Sequence, residues 1–230
     1  MKRRCEVNVL SNDEYCSALR LRVSTAYKES KNSCGWRLLA SPSSVLEGAD
    51  IAFIGLNPGG SSQPDDHAEF AMEQGSAYVV ETWGGYQPGT SPLQTQVRAL
   101  FSGLSVEPES VLAGNLVPFR SPNWKSLERK DFSLRFGESL WGDILQRVQP
   151  GLVIGMGRDV FAPLSRILGA TGIQTVAVGW GKISAIKATF PDGSLVVLPH
   201  LSRFGFVTRE KSAGALRDLF DERWRRVHVP

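Results

Sequence analysis

Cysteine is scarce in this chain. Cys5, Cys16 and Cys34 are odd in number and widely spaced. They form no CxxC pair and no zinc-ligand pattern, so a zinc module and a disulfide framework are both excluded. They read as reduced thiols of a cytoplasmic protein. Long apolar runs are also missing. No stretch of eighteen apolar residues occurs, so no membrane span and no membrane partner are expected. The basic start Met1-Lys2-Arg3-Arg4-Cys5 has no apolar segment behind it and does not read as a secretory signal. Charge of one sign is not in excess: the formal net charge is +3. That permits nucleic-acid binding without demanding it, so any DNA-binding face must be local. Histidine is rarer still in proportion to its chemical use, with only His67, His200 and His228.

What is present is an ordinary globular composition, 42% apolar and 21% charged over 230 residues. That length suits one α/β domain with a full core. No internal repeat and no linker is visible, so a single domain over residues 1–230 is expected. Residues 1–45 form its N-terminal helical extension and 58–92 an active-site loop.

Two segments stand out. Asp50-IAFIGLNPGG and Leu195-VVLPHLSRF are short apolar runs that end in polar turns. The run 51–56 has the length and β-branched content of a buried parallel strand. It stops at Asn57-Pro58-Gly59-Gly60, which neither extends a strand nor starts a helix cleanly. In open α/β sheets ligands bind beyond the carboxyl ends of the strands. Asn57 and His200 each sit just past such an end.

The rest of the pattern supports alternating strands and helices. Helical spacing covers 12–30, starting at Asn12 or Asp13, and 93–104, with Leu93, Val97 and Leu100 on one face. It returns at 134–148, which stops at Gln149-Pro150-Gly151, at 159–168 and at 208–227. Residues 41–44 read as a turn. Strands are expected at 111–117, 152–156 and 174–178. A hairpin of 183–190 and 195–198 turns at Pro191-Asp192-Gly193. The stretch 58–92, rich in Gly, Ser, Pro and Gln, lacks periodicity, and a short helix is expected near Glu69. The predicted fold class is α/β: one mainly parallel sheet with helices on both faces.

These residues carry a resemblance. G-L-N-P-G at 55–59 resembles the first motif of the uracil-DNA glycosylase superfamily, and H-L-S-R-F at 200–204 resembles its second. Gly114-Asn115-Leu116-Val117-Pro118-Phe119 is similar to the strand end whose Asn reads the base edge. Phe70 follows Asn57 by thirteen residues, at the spacing of the family's base-stacking Phe. Gly151-LVIGMG and the helix after it look like the family's next strand and helix. The matches keep the family's order over roughly residues 50–204.

The resemblance implies a monofunctional DNA glycosylase, and each residue type suits that chemistry. A glycosylase extrudes its target base into a pocket. Asn57 would position the attacking water, although its carbonyl cannot serve as a strong base. The fastest, uracil-specific branch has Asp there. As a bare dipeptide, Asn-Pro also simply initiates turns. His200 would stabilise charge on the departing base as a neutral donor. Asn115 would read a pyrimidine edge, with either amide orientation open. Phe70 would stack on the base. Gly59 stands where the uracil-only branch carries a Tyr that blocks C5 substituents. Gly59 and Gly60 thus suit larger bases, or simply a turn that needs glycine. Ser202, Arg203, Phe204 and Arg209 would face DNA, Phe204 as an apolar wedge and the arginines on phosphates. Leu201 departs from the family's usual Pro. A second basic stretch, Arg120, Lys125, Arg129 and Lys130 with Trp124 interleaved, suits a DNA-facing loop or a solvated surface equally.

Some branches carry a four-cysteine iron–sulfur cluster, which three cysteines cannot build. No metal or organic cofactor is implied, and no Lys is placed as a Schiff-base nucleophile. The implied partner is DNA, duplex or single-stranded, acted on by a monomer. The target is uracil or a C5-modified pyrimidine. Hypermodified phage cytosine, such as glucosylated hydroxymethylcytosine removed in antiviral defence, is the alternative. A non-catalytic DNA- or nucleotide-binding protein on the same fold is the rival of another class. A phosphate-binding loop lacks both the P-loop Lys and the G-x-G-x-x-G spacing.

Overall fold

The computed structural model describes residues 10–60 and 67–225. Cys5, His228 and the last residues of the expected 208–227 helix lie outside that range. The elements run α1 (Asn12–Ser30), β1 (Ile51–Gly55), α2 (Ala77–Val80), α3 (Pro92–Gly103), β2 (Leu112–Asn115) and α4 (Lys130–Val148). They continue with β3 (Leu152–Met156), α5 (Phe161–Leu168), β4 (Thr171–Trp180), β5 (Ile183–Phe190), β6 (Gly193–Leu198) and α6 (Ala213–Phe220). One six-stranded sheet has the order β2-β1-β3-β6-β5-β4. β2, β1, β3 and β6 are parallel, and β5 runs against both β6 and β4. The α/β expectation holds.

Buried strands explain the central order. Every residue of β1 and β3 is buried. Ala52, Ile54 and Val153 pack on one face against Leu140, Trp141 and Ile144 of α4. Ile51, Phe53 and Ile154 pack on the other against Val97, Leu100 and Phe101 of α3 and Leu216 of α6. A strand buried on both faces has no polar alternation, which is why 51–56 reads as a plain apolar run. β4, at the sheet edge, is mostly exposed. Among the described residues no helix is long and apolar enough to cross a membrane.

Caps set the helix starts. Ser11 and Glu14 form a capping box one residue ahead of Asn12, and Ser91 and Gln94 form another before α3 with Pro92 at its first turn. The expected helix near Glu69 is absent. Residues 69–72 are tied to the 38–41 segment instead: the Glu69 and Phe70 carbonyls accept the Leu38 and Leu39 amides and the Met72 amide donates to the Ser41 carbonyl. The short helix comes later, as α2.

The expected helix 208–227 shrinks to α6, flanked by 3-10 turns at Glu210–Ser212 and Asp221–Arg223. Trp224 provides the reason. It folds back to stack on Phe220 at 5.6 Å and fills the space over Gly103, where a Cβ would meet its ring at 2.3 Å. Asp221 takes φ 50° to make that reversal, and Arg223 pairs with Asp50. Burial of one indole outweighs continuation of an exposed helix.

Candidate functional site

Parallel strands send Asn115, Asn57 and His200 to one edge of the sheet. β1 is flanked by β2 on one side and β3 on the other, so the chain reverses direction of winding beside β1. That crevice is where α/β sheets bind ligands. Asn115 is level with Gly55, the last residue of β1. Asn57 and His200 stand two residues beyond the ends of β1 and β6, which are separated only by β3. Two strand spacings put them about 10 Å apart along the edge.

Asn57 is held by a segment that follows β2. The ladder continues past the strand, with the Leu116 and Val117 amides donating to the Gly55 and Leu56 carbonyls. It ends in a bridge between Gly59 and Ser121. Asn57 Nδ2 donates to Ser121 Oγ at 2.9 Å and to the Pro58 carbonyl at 3.2 Å. Ser121 is 3% exposed and donates its own proton to the Asn123 carbonyl at 2.9 Å. Both bonds use the amide nitrogen. Asn57 Oδ1 therefore takes the other side and has no hydrogen-bond partner among the described residues. A carbonyl oxygen fixed this way can accept a hydrogen bond from a water. Ser121 was not legible as a site residue; its only sequence signal is a serine a few residues past the Asn115 strand.

Gly59 and Gly60 divide the two roles weighed for them. A Cβ on Gly59 would meet nothing within 4 Å among the described residues, and its φ is outside the left-handed region. The backbone of the turn does not need glycine there, and no described residue fills the space a side chain would take. A Cβ on Gly60 would sit 3.0 Å from the Arg120 side chain. Arg120, 7% exposed, donates to the Gly59 carbonyl at 3.0 Å and the Cys34 carbonyl at 3.3 Å, and lies 3.1 Å from His67 Nδ1. It braces the Asn57 turn from beneath, so it is not part of a solvated basic stretch. Arg129 is exposed and donates to the Glu29 carbonyl at 2.6 Å.

Asn115 leans across Gly55. A Cβ there would lie 2.5 Å from Asn115 Oδ1, so the first glycine of the GLNPG motif makes room for this amide. The Asn115 backbone is fixed by Trp141, whose indole N–H donates to its carbonyl at 2.8 Å. Its side-chain amide is half-exposed and has no hydrogen bond among the described residues.

His200 closes the far end. The Ser202 backbone N–H, which can only donate, points at Nδ1 at 3.4 Å, and Ser202 Oγ lies 2.8 Å from the same nitrogen. Nδ1 is therefore the acceptor, and the ring proton sits on Nε2. Burial, and then the Arg203 charge, lower the His200 pKa below its ordinary value. The neutral imidazole is favoured. Its Cδ2 edge faces Gly157 at the end of β3, on the Asn57 side. The turn forms despite Leu201: the Arg203 and Phe204 amides both donate to the His200 carbonyl, and Leu201 buries in the core.

The remaining expected residues fall into two groups. Ser202 and Arg203 are exposed and Phe204 is half-buried on this turn. Phe204 meets Trp180 edge-on, and the first partner of Arg209 is the same indole, whose face it covers at 4.4 Å. Phe70 is buried. It is 4% exposed, its segment lies outside residues 38–41 at the β2 edge, and Arg20 covers its ring at 4.7 Å. As placed, it offers no open face to a base. Cys16 and Cys34 are free thiols. Comparison of the chain with protein-family models and with curated proteins finds no match.

Proposed function

We propose that this chain is a monofunctional DNA glycosylase that hydrolyses the N-glycosidic bond of an extruded pyrimidine, uracil or a C5-modified base, leaving an abasic site in cytoplasmic DNA. One observation carries the reading: Asn57 Oδ1, left open by Ser121, and a His200 that keeps its proton on Nε2 share one carboxyl edge. In this reaction the C1′–N bond breaks and the oxygen of water bonds to C1′. Asn57 Oδ1 orients that water, and the water's proton passes to solvent, since an amide does not take it up. Most of the barrier must then be lowered at the leaving group. His200 Nε2–H donates to the base oxygen as it gains charge, a contact worth roughly 3 to 4 kcal/mol. The Asn115 amide faces the base edge.

An abasic-site assay tests this over DNAs holding uracil, 5-hydroxymethyluracil, mismatched thymine or glucosylated hydroxymethylcytosine. Asn57→Ala is expected to abolish cleavage while folding and DNA binding persist. Full activity in a folded Asn57→Ala protein would sink the mechanism.

The open space at Gly59 favours a second reading of the same chemistry, in which the base carries a bulky C5 group, as in hypermodified phage cytosine. Gly59→Tyr should leave uracil cleavage nearly intact and lower cleavage of the bulky base by roughly 5- to 160-fold or more, because the ring would take the space of the C5 group and overpacking costs about 1 to 3 kcal/mol or more. An unchanged preference in that variant removes the open-slot argument.

A further inference from the structure

Register brings more to this edge than Asn57 and His200. β1 pairs Ile51 with Leu152, and β3 pairs Leu152 with Ser194. The same alignment, carried past the strand ends, puts Asn57, Arg158 and His200 on one level. On the other side β6 pairs Val197 with Ile186, which brings Ile183 level with His200, and Ile183 pairs with Trp180. The β4–β5 turn at Gly181 and Lys182 therefore projects from the same edge as the site.

Contacts tie this turn to the His200 loop. Trp180 meets Phe204 with ring centroids 6.4 Å apart at 75°. Arg209 covers the Trp180 face at 4.4 Å. Arg158, at the end of β3, donates to Ser184 Oγ on β5 at 3.0 Å, so its side chain reaches past the end of β6. Arg158, Lys182 and Arg203 are exposed. Among the described residues none of them, nor Arg209, pairs with a carboxylate, although Asp159 and Glu210 lie on neighbouring segments. Arg22, Arg37, Arg166, Lys187 and Arg223 are neutralised by an acidic partner, whereas exposed Lys28 and Arg217 are not among the described residues; what sets Arg158, Lys182 and Arg203 apart is their place on the edge of the site.

We infer that Lys182 and Arg158 form a second DNA-backbone contact, gripping phosphates of the strand on the far side of His200 from Asn57. Trp180 stiffens Phe204, so that the tip pressed between bases is a braced pair of rings. The inference rests on the reading that this edge handles DNA, but not on base cleavage. Exposed cations with no acidic partner release condensed counterions when they meet phosphates, and that release is measurable as salt dependence.

The test is fluorescence anisotropy of a labelled undamaged duplex and of a labelled single strand, titrated at several salt concentrations. Lys182→Ala and Arg158→Ala should each lower the slope of log Kd against log salt by about 0.9 on duplex and about 0.7 on single strands, and the double variant by about twice that. Lys28→Ala, exposed on α1, should leave the slope unchanged. Wild-type slopes in both edge variants overturn the inference, and so does a wild type that binds neither DNA. Base release serves as a separate readout. Reduced slopes in a protein that releases no base keep the surface and sink the glycosylase reading. Base release with unchanged slopes keeps the glycosylase reading and sinks this one.

Discussion

Ser121→Ala tests the site at its least obvious joint. The Asn57 amide nitrogen has two acceptors, Ser121 Oγ at 2.9 Å and the Pro58 carbonyl at 3.2 Å. The shorter bond is the better one, and Ser121 is buried where water cannot replace it. Removing it costs the productive amide orientation one neutral hydrogen bond, about 0.5 to 1.5 kcal/mol. At RT near 0.59 kcal/mol that is roughly a 2- to 13-fold smaller population, and the single-turnover rate should fall by the same factor. KM should hold, because the water contact matters mainly in the transition state. The variant also loses the bond to the Asn123 carbonyl, so rates are compared per folded molecule, with the folded fraction taken from a urea transition. Ser121→Thr, which keeps the hydroxyl, should recover most of the rate. A folded Ser121→Ala protein with wild-type kcat refutes the positioning argument, as does a rise in KM at unchanged kcat.

Other consequences follow from the same geometry. His200 must be neutral to donate without carrying charge, and its pKa is lowered first by burial and second by Arg203. Activity should therefore stay level as pH falls through the ordinary histidine value near 6.5 and drop only below it; in a single-turnover pH profile, Arg203→Gln should move that acidic limb part of the way back up. Stability has a matching sign: the unfolded histidine takes up a proton that the folded one refuses, so the His200 contribution is lost as pH drops from about 6.5 to the lower folded value, read by urea midpoints in wild type against His200→Gln. Gly55→Ala puts a methyl group 2.5 Å from Asn115 Oδ1 and should cost about tenfold in single-turnover rate, whereas Gly59→Ala, with open space around it, should be silent. Glu81→Ala strips the nearly buried Arg37 of its ion-pair partner and Trp83 of its acceptor, and should lower stability by about 3 kcal/mol, a melting shift of roughly 6 to 12 °C by calorimetry.

How far the sequence could be read depended on how far apart the interacting residues lie along the chain. A strand such as Ile51–Gly55 announces itself because both faces are buried and every residue is apolar, and the turn after it is marked by its own Pro and Gly. Asn57 and His200 were therefore legible as strand-end residues before any contact was known. Ser121 was not, because its role comes from a hydrogen bond across 64 residues, and nothing local marks a serine as the partner of a distant amide. Phe70 shows the opposite case. Its spacing from Asn57 can be counted, but pairing with residues 38–41 decides where it goes, and that pairing leaves it under Arg20. The C-terminal helix fails for the same reason, since the gap over Gly103 that draws in Trp224 lies more than a hundred residues away.

Trp180 carries that argument furthest. Nothing near it in sequence resembles a site, and β4 reads as an exposed edge strand. Only the reversal of β5 turns its last residue toward the edge that β6 also ends on. An antiparallel strand added to a parallel sheet does two things at once. It covers the side of β6 that would otherwise be an unpaired edge, and it starts from the carboxyl side, where ligands bind, so the turn before it and the end of β4 lie there. The hairpin thus completes the sheet and supplies the ring against which Phe204 is braced, so its stability and its place in the site depend on the same hydrogen bonds.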